Sequence, residues 1–315
     1  MSKKIVYVTG CLGFIGSHIT ETCLRKGWYV FGVDKCTYAS NEGCIDSWGM
    51  RYPGQFNFLK TDINDLTRLY ECDYIINTAA ETHVDNSIED SDAFVHSNID
   101  GVHNLLKLIN KKKHKKPILL HFSTDEVYGD IEEGSHYETD LLKPSNPYSA
   151  TKAAADMLIL AWGRTYNLPY VIVRPTNNYG IGQYVEKLIP KTCKYLHVGR
   201  KIDLHNKGTP IRTWLNANDT AEAIITIIEA QVVNEIYNIS GNYETQNINV
   251  VKKILKLING SEDTAGYIED MVRQGQDVRY SINDDKLRLL GWRPRADFDI
   301  ELEKIVKYYQ DNFIW

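Results

Sequence analysis

Tyr148 and Lys152 stand four residues apart in the stretch NPYSATKAAAD. On a helix that spacing puts both side chains on one face. A lysine ammonium near a phenol favours the phenolate and lowers the phenol's pKa toward neutrality. Such a phenolate can take the proton from an alcohol whose carbon gives up a hydride. A second set lies upstream, where the apolar run PILLHF ends in Ser123, Thr124, Asp125 and Glu126. Oxidising or reducing a carbinol needs only the tyrosine, the lysine and a hydroxyl such as that of Thr124. Eliminating water needs a general base and a general acid as well, with pKa values pushed apart by their surroundings. Two adjacent carboxyls at a strand end supply that pair. The plainer alternative is that they cap a helix and line a polar loop.

Groups of this kind need a rigid frame, and the N-terminal half supplies one. KIVYVTG reads as a strand, IGSHITETCLRKG as a helix closed by Gly27, and WYVFGVD as a second strand. DYIINTAA, a helix near 92–112, PILLHFST, the helical SATKAAADMLILAWGRTYN and the strand YVIVRP continue the alternation. Strands alternating with helices predict right-handed βαβ units and a doubly wound parallel sheet, an α/β fold.

Gly10, Gly13 and Gly16 follow the first strand directly and open the first helix. Glycines there let the backbone approach a pyrophosphate, and the helix N-terminus offers free N–H groups. A tight strand-to-helix turn is the alternative, but strand, helix and a later acid together predict a dinucleotide site. That acid is Asp34, at the end of the second strand, where it would bond the ribose hydroxyls and repel a 2′-phosphate. NAD is therefore expected over NADP, with Lys35 as the one contrary sign. In TDIND, Asp62 and Ile63 are candidates for adenine contact, and Asp62 alternatively caps the next helix.

Beyond residue 176 the elements shorten. Helices are expected at 186–197 and 218–230, a basic loop at HNKGTPIRTW, a strand at NEIYNIS, and helices at NINVVKKILKLING and DIELEKIVKYYQDNF. The expected division is 1–175, with 211–240 returning to it, as the NAD-binding domain. The smaller lobe is then 176–210 and 241–315. No flexible linker or internal repeat is visible.

Composition narrows the class. The chain has 315 residues, 43% hydrophobic and 24% charged, with a net charge of −5. That balance gives no electrostatic footprint for nucleic acid. The basic run KKKHKK at 111–116 reads as the solvated C-terminal end of a helix, where cations suit the dipole. MSKK leads straight into a strand with no signal peptide, and no apolar run approaches membrane-spanning length, so a cytoplasmic protein is expected. Six scattered cysteines form no CxxC pair and read as reduced structural thiols, with no metal site expected.

The chain resembles the extended short-chain dehydrogenase/reductases, and closely the nucleotide-sugar 4,6-dehydratases. The likeness runs nearly end to end through TGCLGFIGSH, DKCTYASN, AAETHVDNSI, STDEVYGD, NPYSATKAAAD, RPTNNYG, EKLIP, IRTWL, RQGQDVRYSIN and LGWRP. It implies a Rossmann domain carrying NAD, a smaller C-terminal α/β lobe for the sugar nucleotide, and a homodimer. Around NAD it places Gly10, Gly13, Phe14, Ile15, Gly16, Asp34, Lys35, Asp62, Ile63, Ala79, Ala80, Thr82, Tyr148 and Lys152. It implies that Tyr148 takes the proton of the sugar 4-hydroxyl while hydride leaves C4 for NAD, with Thr124 bonding the 4-oxygen. Glu126 is then the candidate base at C5, Asp125 the candidate acid for the 6-hydroxyl, and hydride returns to C6. For the sugar nucleotide the likeness points to Asn177, Lys187, Leu188, Arg212, Asn247 and Arg273. For Lys187 and Asn247 a plain surface role is the alternative. His83 is either a pocket residue or a structural histidine.

Departures from the dTDP-glucose pattern fall where base and sugar should be gripped. The chain reads Ile181-Gly182-Gln183-Tyr184-Val185, His205-Asn206 and Arg273-Gln274-Gly275-Gln276-Asp277 there. Gln183 and His205 resemble the UDP-sugar branch, so UDP-glucose or UDP-N-acetylglucosamine is expected, with C5 epimerisation open. A UDP-hexose 4-epimerase would share Tyr148 and Lys152 but has no use for the acid pair. A non-catalytic NAD-binding scaffold would need none of the five.

Overall fold

The computed structural model describes residues 3–272 and 277–312. Seven strands build the central sheet: β1 (Ile5–Thr9), β2 (Tyr29–Asp34), β3 (Phe56–Lys60), β4 (Tyr74–Asn77), β5 (Ile118–Phe122), β6 (Tyr170–Pro175) and a later strand, Glu235–Ile239. Every pairing in it is parallel, and the order from one edge is β3-β2-β1-β4-β5-β6 and then Glu235–Ile239. The chain reverses direction across the sheet between β1 and β4, so a crevice opens at their C-terminal ends.

Period-two alternation sorts the strand side chains onto two faces. Val6 and Val8 pack with Ile19, Cys23 and Leu24 of α1 (Phe14–Arg25) and with the helix Ala217–Glu229. Tyr7, Ile75, Leu119 and Ile172 face the other way, toward Val102, Leu105, Leu106 and Ile109 and toward Ala155 and Ile159. Each such fully buried aliphatic side chain contributes about 1.5–3 kcal/mol. This is the doubly wound α/β sandwich that the alternation of the sequence predicts.

The remaining N-terminal helices are α2 (Gly43–Arg51), α3 (Val84–Glu89), α4 (Asp92–Phe94), α5 (Gly101–Asn110) and α6 (Pro147–Tyr166), of which α5 and α6 cover the second face of the sheet. The helix expected over 92–112 is interrupted. Residues Val95–Asp100 widen into a π-helical turn, a feature that often marks a functional site. The basic run after α5 is tied down locally, Lys115 to Asp73 at 2.8 Å and Lys112 and Lys116 to backbone carbonyls.

The rest of the chain forms a smaller body. β7 (Asn177–Tyr179), β9 (Ile211–Asn216) and β11 (Tyr243–Gln246) make a three-stranded sheet, and β8 (Ile202–His205) pairs with β12 (Ile268–Met271). Glu235–Ile239, β10 in chain order, belongs to the central sheet. Helices α7 (Leu188–His197), α9 (Asn247–Asn259) and α11 (Phe298–Asp311) pack around Tyr179, Trp214, Ile254 and Phe298. The helix Ala217–Glu229 is α8, and α10 spans Asp285–Leu289. The basic loop expected at 205–214 is a loop only in part: it starts at the end of β8 and a short 3-10 turn, Asn206–Gly208, and its last residues, from Ile211, belong to β9. Burial on both faces hides its alternation, since Arg212, Thr213, Trp214, Leu215 and Asn216 are all buried.

Candidate active site

A cleft of about 320 Å³ runs along the C-terminal ends of β1, β2, β4 and β5 and under the loop 181–187. At one end lies the glycine turn. Gly10 has φ +70°, and a Cβ there would sit 2.7 Å from the Ala79 nitrogen. A Cβ on Gly16 would sit 2.0 Å from the Gly10 carbonyl oxygen. No larger residue fits at either place, so the first turn of α1 comes right up against the loop after β4. The Gly13 N-cap carries no side-chain cap and the first turn no acid, which leaves the helix N–H groups facing the cleft. That is the donor set a pyrophosphate needs. Phe14, Ile15, Ala79, Ala80 and Thr82 line the same wall.

Asp34 is buried at the end of β2 and accepts from Leu12 N, Cys36 N and Ser40 Oγ at 2.8–3.0 Å. These bonds aim its carboxylate into the cleft. Lys35 does not oppose it. Its Nζ is drawn to Glu81 at 2.9 Å, Ser97 at 3.2 Å and Asp62 at 3.9 Å. A cation committed to two carboxylates is poorly placed to attract a 2′-phosphate, so the residues present fit NAD. Asp62 lines the cleft beside Ile63 and also accepts from Asn64 N at 2.9 Å, capping a turn rather than a helix.

At the other end, α6 begins on a capping box. Asn146 accepts from Ser149 N, Ser149 answers the Asn146 backbone, and Pro147 sits in the first turn. NPYS is thus a helix start written in full, and it presents Tyr148 to the cleft with Lys152 one turn on. Their electrostatics differ from the expectation. Burial pushes the Tyr148 phenol up, with Glu126 adding to the rise, while a hydrogen bond from Thr124 pulls it down. Lys152 is buried, its Nζ donates to the Phe122 carbonyl at 2.5 Å, and burial holds it down at about 8. The ammonium is spent on backbone, so the lowering of the phenol that the four-residue spacing predicts is outweighed here by burial and the Glu126 charge.

Thr124 caps a short 3-10 turn, Asp125–Tyr128, and accepts from Glu126 N at 3.3 Å. Capping and chemistry therefore coexist: Thr124, Asp125, Glu126 and Tyr148 all line the cleft. Burial and then the neighbouring Glu126 charge raise Asp125 to about 7. Its Oδ2 is buried without a hydrogen-bond partner among the described residues. Burial raises Glu126 as well, whereas Arg212 and the Asn146 side chain lower it.

The substrate candidates divide. Asn177, Gln183 and Lys187 line the cleft, and Asn177 Oδ1 is buried without a partner. Lys187 Nζ pairs with Glu186 at 3.1 Å. Arg212 is buried behind the acids rather than on the wall, stacked on the Tyr280 ring at 4.3 Å. Leu188 is half-buried and packs against the core of the smaller body, off the cleft wall. His83 caps α3 by accepting from Asn86 N, which is the structural alternative. His205 approaches Asp85 at 3.6 Å, and Asn247 opens α9; neither is on the cleft wall. Arg273 and Gln276 lie outside the described residues.

Residues 7–305 match the GDP-mannose 4,6 dehydratase family. The chain belongs to that family. The dTDP-glucose 4,6-dehydratase of Haemophilus influenzae is 37% identical over 333 residues, covering 98% of each chain. A trifunctional UDP-glucose 4,6-dehydratase/UDP-4-keto-6-deoxy-D-glucose 3,5-epimerase/UDP-4-keto-L-rhamnose-reductase of Arabidopsis thaliana is 38% identical over 325 residues, 99% of this chain and 48% of the plant protein. Among solved structures, the dTDP-glucose 4,6-dehydratase of Streptomyces venezuelae with NAD and TYD bound superposes with a TM-score of 0.91. It is 34% identical, over 98% of this chain and 97% of that one. The enzyme is a nucleotide-sugar 4,6-dehydratase, an NAD-dependent hydro-lyase. No helix among the described residues is long and apolar enough to cross a membrane.

In this dehydratase several residues that spacing did not single out support the cleft. Asn98, in the π-helical turn, donates to the Glu81 carbonyl and to Thr151 Oγ1. Asp156, one turn beyond Lys152, pairs with buried Arg174 at 3.0 Å and accepts from Ser123 Oγ. Arg174 in turn donates to the Tyr128 hydroxyl at 2.7 Å. Asp156 had a signal in the sequence, an acid continuing the Tyr148–Lys152 face. Arg174 and its other partner, Tyr128, had none.

Proposed function

We propose that the enzyme converts a UDP-hexose, UDP-glucose or UDP-N-acetylglucosamine, to its 4-keto-6-deoxy product. The observation that carries this reading is the placement of Asp125 and Glu126 in one cleft with Thr124 and Tyr148. Gly10, Gly13, Phe14, Ile15 and Gly16 would hold the pyrophosphate of NAD, and Asp34 its adenosine ribose. Ala79, Ala80 and Thr82 would flank the dinucleotide. The chemistry NAD supplies when bound is hydride acceptance at C4 and hydride return at C6.

The chain's own residues move the protons. Tyr148 takes the 4-hydroxyl proton, with Lys152 on the same helical face and the Thr124 hydroxyl beside it. Once C4 is a ketone, the C5 proton is acidic, and Glu126 takes it. Asp125, raised to about 7 by burial and by Glu126, keeps a large protonated fraction near neutral pH, and that form gives its proton to the departing 6-hydroxyl. Water leaves, and Glu126 returns its proton to C5. A raised acid beside a base is the pairing that elimination requires.

Asn177 and Lys187 would supply the polar and cationic groups for the nucleotide diphosphate, with Gln183, on the same wall, as the feature that favours UDP over dTDP. Residues 1–175 with 211–240 are read as the cofactor unit, from which β9 leaves to pair with β7 and β11. Residues 176–210 and 241–315 form the substrate lobe. The enzyme is read as a cytoplasmic homodimer. Incubation with UDP-glucose, UDP-N-acetylglucosamine and dTDP-glucose, read by the alkali-induced ultraviolet absorbance of 4-keto-6-deoxy sugars, tests the proposal. A signal with a UDP-sugar above that with dTDP-glucose is expected. A signal with dTDP-glucose alone overturns the base assignment, and none at all overturns the reaction.

A further inference from the structure

The C5 base is not held by its own segment alone. Glu126 Oε2 faces the hydroxyl of Tyr280 at 3.5 Å, across 154 residues of sequence. Tyr280 is buried, and its hydroxyl donates a short hydrogen bond to Asp277 Oδ2. The same Asp277 oxygen accepts from Ser145 Oγ at 2.5 Å, just before the cap of α6. Arg212 stacks on the Tyr280 ring and donates to the Asp277 backbone carbonyl at 3.3 Å.

A phenol has one proton to donate. With that proton given to Asp277, the Tyr280 oxygen presents a lone pair to Glu126. An ionised Glu126 gains nothing from a lone pair. A protonated Glu126 can donate to it. We propose that Tyr280, fixed by Asp277, is a positioning residue that holds the C5 proton on Glu126 between its removal and its return. The inference rests on the dehydratase reading above and deepens it.

In the balanced step, the C5–H bond breaks, its electron pair moves into the C4–C5 enolate, and the proton goes to Glu126. The resulting carboxylic acid donates to the Tyr280 oxygen, whose own proton stays with Asp277. Expulsion of the 6-hydroxyl, protonated by Asp125, then follows with the enolate electrons. When hydride reaches C6, the proton held on Glu126 returns to C5. Besides Tyr280, the groups facing Glu126 are Asp125, Tyr148, Arg212, Asn146, Asp277 and Lys187. Among them Asp277 acts to favour the protonated form and Arg212 to oppose it.

Tyr280→Phe keeps the ring under Arg212 and removes the acceptor, and Asp277→Asn removes the anchor and its charge. Each change makes protonated Glu126 less stable. We therefore expect kcat about five- to tenfold lower, the size of one hydrogen bond, with KM within about twofold. The limb of the kcat profile that reports ionisation of Glu126 should move to lower pH in both variants. NADH absorbance should build up during turnover, because C4 oxidation is untouched and proton abstraction is slowed. Two variants guard against one that fails to fold. If a folded variant keeps the wild-type acid limb and shows no NADH build-up, the positioning role is overturned while the dehydratase reading stands. If the wild type itself forms no 4-keto-6-deoxy product from any nucleotide sugar, both fall together.

Discussion

The two halves of the cleft are built differently. Tyr148, Lys152 and Thr124 are set by one strand end and one helix of the central sheet, within a short span of chain. Their supports, Asn146, Asn98, Asp156 and Ser123, are equally local to that sandwich. Asp125 and Glu126 begin on the same strand, yet the groups that set their charge come from far away. Arg212 lies in β9 of the smaller body, and Asp277 and Tyr280 arrive on the chain that follows β12. The redox half is thus complete inside the sandwich, and the elimination half is completed only when the second body packs over it.

This contrast has consequences that can be measured. The largest effect should follow from Tyr148→Phe, which removes the group proposed as the base of the first step. We expect a loss of kcat of about a thousandfold, with neither product nor NADH absorbance on mixing with substrate. NADH formation at the normal rate would show that the redox half does not depend on the phenol. Asp125→Asn and Glu126→Gln should separate the halves. Each should lower product formation by about a hundredfold while C4 oxidation proceeds, leaving bound NADH. Wild-type turnover by both would remove them from the mechanism.

The same contrast explains what the sequence made legible. The strand–helix alternation and the glycine turn foretold the parallel sheet, because local period and local φ requirements create both. The Tyr148–Lys152 pair was visible because one helix carries it. What the spacing implied about the phenol was not realised, since the lysine's direction is set by the Phe122 carbonyl, which no helical spacing reports. β9 hid for a related reason: a strand buried on both faces loses its alternation, and its Arg212 read as loop. Tyr280 was invisible as a partner of Glu126, since a contact spanning 154 residues leaves no trace in local pattern.

A smaller effect concerns stability. Asp156→Asn leaves Arg174 buried without its counter-ion, which should cost about 3 kcal/mol. A clear fall in the thermal unfolding midpoint is expected, and an unchanged midpoint would mean the pair is not buried as described. The redox half should suffer through this loss of its frame.

The smallest effect is a pH dependence that belongs to the elimination half. Asp125 must be protonated to act, so kcat should fall as pH rises through about 7. Linkage gives the same sign for the fold. A carboxyl whose folded pKa lies above its unfolded value of 3.8 contributes stability in acid and loses it as pH rises through about 7. Asp125→Asn should therefore unfold at a higher temperature than the wild type above that pH, though it is less active. A variant no more stable there would show that Asp125 is not held in its acid form.

The most direct test of the division between the halves is one mixing experiment on Glu126→Gln. The substrate is whichever nucleotide sugar the wild type dehydrates, with NADH absorbance and 4-keto-6-deoxy product followed together. The expected result is a rapid rise of bound NADH that persists, with little product. Product at the wild-type rate with no NADH build-up would contradict the assignment of Glu126 as the C5 base, and with it the account of how the two halves share one cleft.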